Sequence, residues 1–294
     1  MPAMYYIPWS TRVRFSYWPA PGDDFAEVRA RCLLAEASGW DGAWYSDHLM
    51  PSSGDPCAPV NESFTMLAAL AATVPRLRLG HMVAGNTYRH PALVAKMAAG
   101  IDRISGGRYV LGLGAAWQQD EHNRYGIAFH DTPQRMARLD EACRVIRCLL
   151  DNEASSFDGH FYQLRDAPLS PKPVQPRLPL LIGGGGERLL LRIVAHHADE
   201  WNVFATPDAL RRKLEVLERH CAAAGRDPDQ ITRSVVLDPP RDQRDDGALI
   251  ERTLEAYMGL GVEEVVIRDS LLRAYGPGLP GSIESFTCIC SEFR

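Results

Sequence analysis

Short, nearly uninterrupted apolar runs alternate along the chain with longer segments whose apolar residues recur at helical spacing. Runs such as Val110-Leu-Gly-Leu113 and Glu264-Val-Val-Ile267, with apolar residues at consecutive positions, suit a parallel strand buried on both faces. Strand patterns fall at 13–18, 42–46, 77–83, 109–113, 180–182, 200–204, 231–237 and 262–267. Helical patterns fall between them at 24–38, 62–73, 91–105, 134–150, 187–197, 207–224 and 246–260, with a closing segment at 283–293. Pro91 suits a first helical turn, and Gly106-Gly107 suits a stop. Strands that each lead into a helix, in this number and order, predict an α/β fold, the (β/α)8 TIM barrel. A doubly wound sheet is the alternative. The first strand carries no G-x-G-x-x-G, which counts against it.

Two excursions interrupt the alternation. A loop with Pro51, Gly54, Pro56 and Pro59 follows the second strand. After the fourth helix, 154–157 and 160–164 read as a hairpin around Asp158-Gly159. A Pro-rich connector (Pro168 to Pro179) then returns to the alternation, so 1–294 reads as one barrel domain.

A formal net charge of −5 gives no reason to expect nucleic acid or an anionic membrane as partner. No stretch approaches the roughly 20 apolar residues of a membrane span. Residues 1–10 lack the basic-then-apolar order of a signal peptide. The seven cysteines are scattered and odd in number, which predicts reduced thiols and a cytoplasmic protein. Cys288 and Cys290 lack the further ligands a metal needs, so no metal site is expected.

Candidate chemistry gathers at strand ends. The segment Leu111-Gly-Leu-Gly-Ala-Ala-Trp-Gln-Gln-Asp-Glu-His122 runs from a strand into small residues, which let a flat ligand approach the backbone. Asp47-His48 closes the second strand; in a barrel that end faces the mouth, where an imidazole can move a proton near neutral pH. A helix-capping Asp and a packed His explain the pair as well. Gly183-Gly-Gly-Gly-Glu-Arg188 lies between the fifth strand and the next helix, where free N–H groups would suit a phosphate; a tight turn is the other reading. Other barrel chemistries lack their residues. His196 and His197 are helix neighbours pointing about 100° apart. Lys96, Lys172 and Lys213 lie in helix or connector patterns, away from a Schiff-base position. A cofactor enzyme remains.

The chain resembles the bacterial-luciferase-like family of barrel oxidoreductases over roughly 13–236. The resemblance is carried by Gly39-Trp-Asp-Gly-Ala-Trp-Tyr-Ser-Asp-His48, Tyr88-Arg-His-Pro-Ala92, Ser105-Gly-Gly-Arg-Tyr-Val-Leu-Gly-Leu-Gly-Ala-Ala-Trp117 and Glu121-His-Asn-Arg-Tyr-Gly126. It continues through Pro171-Lys-Pro-Val-Gln175, Ile182-Gly-Gly-Gly-Gly-Glu187 and Ala198-Asp-Glu-Trp-Asn202. With His220-Cys-Ala-Ala-Ala-Gly-Arg-Asp-Pro228, it is most similar to the subgroup dependent on the deazaflavin coenzyme F420. The resemblance implies a ring system lying over the strand ends. It assigns a ring hydrogen bond to Asp47 and proton donation or acceptance to His48. It implies a non-proline cis peptide at Met82-Val83 beneath the ring, contacts from Gly85, Ala115, Ala116 and Trp117, and a phosphate loop at Gly183, Gly184, Gly185 and Gly186. It also implies a homodimer. The sugar-phosphate dehydrogenases of the family carry a catalytic Glu where this chain has Trp117, and a Trp where it has Ser52, which points away from a sugar phosphate.

Three functions follow as expectations. The first is F420-dependent hydride transfer to or from a small organic substrate. The second is a reduced-FMN-dependent monooxygenase supplied by a separate reductase. The third is a non-catalytic cofactor-binding protein. F420 carries an acidic oligoglutamate tail and calls for an arginine-rich groove, with Arg188, Arg192, Arg211 and Arg212 as candidates; FMN needs only a phosphate pocket.

Overall fold

The computed structural model describes residues 12–240, 242, 244, 246–275 and 279–293. The N-terminal segment read above as lacking a leader lies outside them. The strands are β1 (Arg14–Trp18), β2 (Gly42–Tyr45), β3 (Arg78–His81), β4 (Ala84–Gly85), β5 (Tyr109–Gly114), β6 (Ala154–Asp158), β7 (Gln163–Pro168), β8 (Leu180–Gly183), β9 (Glu200–Val203), β10 (Thr232–Leu237) and β11 (Glu264–Arg268). The helices are α1 (Phe25–Ala37), α2 (Ser63–Thr73), α3 (Pro91–Ser105), α4 (Gln119–Tyr125), α5 (Thr132–Asp151), α6 (Leu190–His197), α7 (Pro207–Ala224), α8 (Gly247–Met258), α9 (Asp269–Tyr275) and α10 (Leu279–Ser291).

The main sheet runs β3-β2-β1-β11-β10-β9-β8-β5, every pairing is parallel, and β5 pairs back onto β3. The sheet therefore closes into the (β/α)8 barrel. The third strand differs from its expected span. It ends at His81, the Met82–Val83 peptide is cis, and the chain resumes as β4 against Leu113 and Gly114.

The barrel interior is filled in layers. At the N-terminal end, Arg14 and Arg78 meet Glu200 and Glu264: Arg14 Nε lies 3.2 Å from Glu264 and Arg78 Nη1 donates to Glu200 at 3.0 Å. Burial alone would raise the Glu264 carboxyl, but Arg14 and Arg78 outweigh it and hold it below the usual range. Above that layer Trp44 crosses the barrel, its Nε1 donating to Glu264 at 2.7 Å, among Val110, Leu181, Val236 and Val266. A side chain on Gly80 would collide with the Trp44 ring, so this layer needs glycine on β3. The other face of the strands, with Phe15, Leu79 and Leu111, packs against the helices through Leu67, Ile146 and Leu191.

Helix boundaries follow their caps. Asp24, His90, Asp131 and Thr206 accept from the first turns of α1, α3, α5 and α7, and Gly106 and Gly225 end α3 and α7 with φ of 69° and 65°. The second hairpin strand begins at Gln163 rather than His160. Glu141 accepts from the N–H groups of His160, Phe161 and Tyr162 (3.0, 2.8 and 2.6 Å), which holds these residues as the turn. The short helices α4 and α9 have no counterpart in the expected pattern. Among the described residues no helix is long and apolar enough to cross a membrane, and no three His, Cys, Asp or Glu side chains are placed to hold a metal ion.

Candidate active site

The barrel geometry brings the sequence candidates to one end. Asp47 and His48 follow β2, Met82 and Val83 join β3 to β4, and Gly85 lies in β4. Ala115, Ala116 and Trp117 follow β5, and Gly183 closes β8. All stand at the C-terminal ends of parallel strands, the mouth of the barrel. Val83 ties three of these ends together. An added Cβ on Gly114 would lie 2.5 Å from its side chain, and one on Gly183 would lie 2.6 Å away. The two glycines thus make room for Val83 on the floor of the mouth. Ala116 holds φ at 60°, a left-handed conformation costly for any residue with a Cβ.

Asp47 is buried, and its carboxylate is fully engaged. Oδ1 accepts from Ser63 Oγ at 2.7 Å and Arg89 Nη2 at 3.1 Å; Oδ2 accepts from Gly85 N at 2.9 Å and Arg89 Nη1 at 2.7 Å. These donors use the four lone-pair directions of a carboxylate. Asp47 here fixes the backbone of β4 beside the cis peptide. Behind it, Tyr109 Oη lies 2.7 Å from His81 Nδ1, and His81 Nε2 lies 3.2 Å from Ser63 Oγ. Ser63 spends its proton on Asp47, so it accepts from Nε2–H, and the tautomer follows. Burial pushes His81 down to about 4, which keeps it neutral at pH 7.

His48 is placed differently. Its Nδ1 lies 3.1 Å from Oε2 of Glu121, a carboxylate with no exposed surface. Glu121 also accepts from the N–H groups of Leu49 and Met50 and from the Tyr88 hydroxyl. Burial alone would raise its carboxyl; hydrogen bonds from His48, Tyr88 and Leu49 outweigh that and hold it at about 2. An ionised Glu121 only accepts, so Nδ1 of His48 carries a proton. In the neutral ring, Nε2 is then the basic nitrogen, and it makes no hydrogen bond among the described residues. Trp117, 64% exposed, meets the His48 ring edge-on at 5.7 Å. Tyr88 stacks on His122 at 4.9 Å, and its ring fills the space a side chain on Gly85 would need.

The glycine loop departs from its expected setting. Helix α6 begins at Leu190, three residues past the expected start, so a turn separates the glycines from it. The loop carbonyls face the protein: Gly184 O accepts from Trp201 Nε1 at 2.8 Å, Gly185 O from Lys213 Nζ at 2.6 Å and Gly186 O from Leu191 N at 3.0 Å. Gly184 takes φ of 130°, which only glycine adopts readily. Among the described residues, the N–H groups of Gly185 and Gly186 meet no acceptor. Arg188 flanks the loop, Arg192 lies in the first turn of α6, and Arg211 and Arg212 near the start of α7. All four are exposed, and none forms an ion pair within the described residues.

Glu121, Tyr88, Arg89, Ser63, His81 and Lys213 carry no assigned role in the sequence expectations. The first three lie inside the motifs that carried the family resemblance, so a signal was present without a chemistry attached.

The model of the luciferase-like monooxygenase family matches residues 5–266. An F420-dependent glucose-6-phosphate dehydrogenase from Kineococcus radiotolerans is 31% identical over 253 residues, covering 83% of this chain and 72% of that one. A pyrimidine monooxygenase from Methylorubrum populi is 34% identical over 188 residues, covering 62% of this chain and 49% of its own length. Among solved structures, an F420-dependent secondary alcohol dehydrogenase in complex with an F420–acetone adduct superposes with a TM-score of 0.84. It is 19% identical and covers 97% of this chain and 100% of its own, a likeness of fold. The chain belongs to the luciferase-like monooxygenase family, a family of barrel oxidoreductases.

Proposed function

We propose that the protein is an F420-dependent oxidoreductase that transfers hydride to or from a small organic substrate. One observation carries the choice of cofactor. The glycine loop leaves two N–H groups without an acceptor among the described residues; exposed Arg188 follows it in the chain, and exposed Arg192, Arg211 and Arg212 lie in the early turns of α6 and α7, the helices that follow β8 and β9. The loop suits one phosphate; the arginines exceed what a single phosphate needs and suit a polyanionic tail. When bound, the deazaflavin supplies the hydride-accepting or hydride-donating ring carbon. The floor of Val83, Gly114 and Gly183 and the small residues Ala115 and Ala116 fit a flat ring. His48 Nε2 exchanges the proton that accompanies hydride transfer. Glu121 orients that imidazole, and Asp47 holds the β4 backbone in place. Trp117 stands where the family's sugar-phosphate dehydrogenases carry a catalytic carboxylate, which argues against a sugar-phosphate substrate.

The test compares F420 with its tail-free deazaflavin core, with wild-type protein and with Arg188, Arg192, Arg211 and Arg212 all changed to Gln. The wild type should bind F420 at least about tenfold more tightly than the core, and the variant should lose that preference. Equal affinity of the wild type for both ligands contradicts the assignment.

A further inference from the structure

The far wall of the mouth carries groups that neither the cofactor loop nor His48 uses. An open cleft of 450 Å³ lies at the ends of β9, β10 and β11, lined by Thr206, Asp238, Pro239, Pro240, Arg244, Arg268 and Ser270. That volume suits a small organic molecule. Among the described residues that line it, two guanidiniums face one carboxylate.

The two arginines are held in different ways. Arg244 donates to Asp238 at 2.8 Å, and its buried Nε has no hydrogen-bond partner among the described residues. Arg268 stands 5.8 Å from the Trp18 ring and 6.0 Å from the Phe204 ring, which themselves lie 5.9 Å apart. Its nearest carboxylate oxygen, on Asp238, is 3.6 Å away, and its guanidinium makes no hydrogen bond among the described residues. Arg268 thus has the two aromatic rings and one long ion pair to Asp238 as neighbours, and its N–H fork is free of hydrogen bonds among the described residues. A fork of that kind matches a carboxylate in two parallel hydrogen bonds. One net positive charge balances a monoanion. A dianionic phosphate would leave charge over, with Asp238 repelling it. Pro239 and Pro240, in the same lining, offer apolar surface for the rest of such a ligand.

We infer that this cleft is a substrate subsite for the carboxylate of a small organic acid, with Arg268 as its principal partner. The inference rests on reading the barrel mouth as an oxidoreductase site and narrows its substrate to a class.

The probes are benzoate, its neutral counterpart benzamide, and phenyl phosphate, titrated calorimetrically against the full-length protein without cofactor. Benzoate should bind about tenfold or more tightly than benzamide, and phenyl phosphate no more tightly than benzoate. Arg268→Gln should remove the benzoate preference and leave benzamide binding unchanged. Arg268→Lys, which keeps the charge but not the fork, should restore it only in part. Equal binding of benzoate and benzamide to the wild type overturns the inference whether or not the variants fold, as do tighter binding of phenyl phosphate and binding of neither probe. Because no cofactor is present, these outcomes leave the F420 assignment untouched, and that assignment fails or stands on its own titration.

Discussion

His48 and Glu121 stand 73 positions apart in sequence and 3.1 Å apart in space. The contact joins the end of β2 to helix α4, and it fixes which imidazole nitrogen faces the mouth. Replacing Glu121 by Gln keeps the shape but removes the charge that favours the Nδ1–H form. Glu121→Gln should lower kcat about tenfold to a hundredfold while cofactor affinity stays within about twofold. Steady-state kinetics beside a cofactor titration checks it, and equal kcat in variant and wild type would remove Glu121 from the account.

The same carboxylate sets a pH dependence. Its folded-state pKa of about 2 lies below the ordinary 4.5, so it contributes stability that is complete above pH 4.5. That contribution is lost as pH falls through the folded pKa. Urea midpoints of wild type and Glu121→Gln should therefore differ at pH 7, with the wild type more stable, and converge as pH approaches 2. A gap that widens on acidification would contradict the pairing seen here.

Asp47 and Arg89 form a bidentate pair, with Arg89 also 2.7 Å from the more exposed Glu62. Asp47→Asn leaves a largely buried guanidinium with Glu62 as its one carboxylate partner among the described residues. We expect a loss of about 3 kcal/mol, and a smaller loss in the double variant Asp47→Asn/Arg89→Gln, where the stranded charge is gone. Chemical denaturation of the three proteins measures both.

Val83 and Gly183 give a packing test. Gly183→Ala should destabilise by about 1–3 kcal/mol, because the new methyl meets the stiff Val83 side chain 2.6 Å away. Val83→Ala should recover much of that loss when combined with it. Additive losses in the double variant would show that the two positions do not compete for the same space.

Ala116 tests the local backbone. With φ at 60°, Ala116→Gly should be neutral or stabilising by up to about 1 kcal/mol, whereas Ala116→Val should cost about 2 kcal/mol or more. Thermal melts separate these outcomes.

The barrel was legible in the sequence because its strands are buried on both faces and its helices carry ordinary caps and stops. Asp24, Pro91, Gly106 and Gly225 mark boundaries by local chemistry alone, and the observed helices keep them. Glu141 was not legible. Its capture of three N–H groups in the hairpin turn depends on a contact about 20 positions away. The mouth divides in the same way. Asp47 and His48 were visible as a chemical pair at a strand end, but their division of labour is set by partners from α2, α4 and the loop after β4. Asp120 and Glu121 are adjacent acids; only the fold exposes one and buries the other. Lys213 reads as one more polar residue of an amphipathic helix until α7 lies beside the glycine loop, where it binds the Gly185 carbonyl. Local signals survive in one dimension, whereas pairings between strand ends exist only once the barrel closes.

Fluorescence titration of the purified protein with oxidised F420 and with FMN, side by side, decides which cofactor the barrel mouth takes. We expect saturable F420 binding at least about tenfold tighter than FMN, weakened by salt because Arg188 and the arginines of α6 and α7 carry the tail. Preference for FMN, or failure to bind F420, would contradict the F420 assignment.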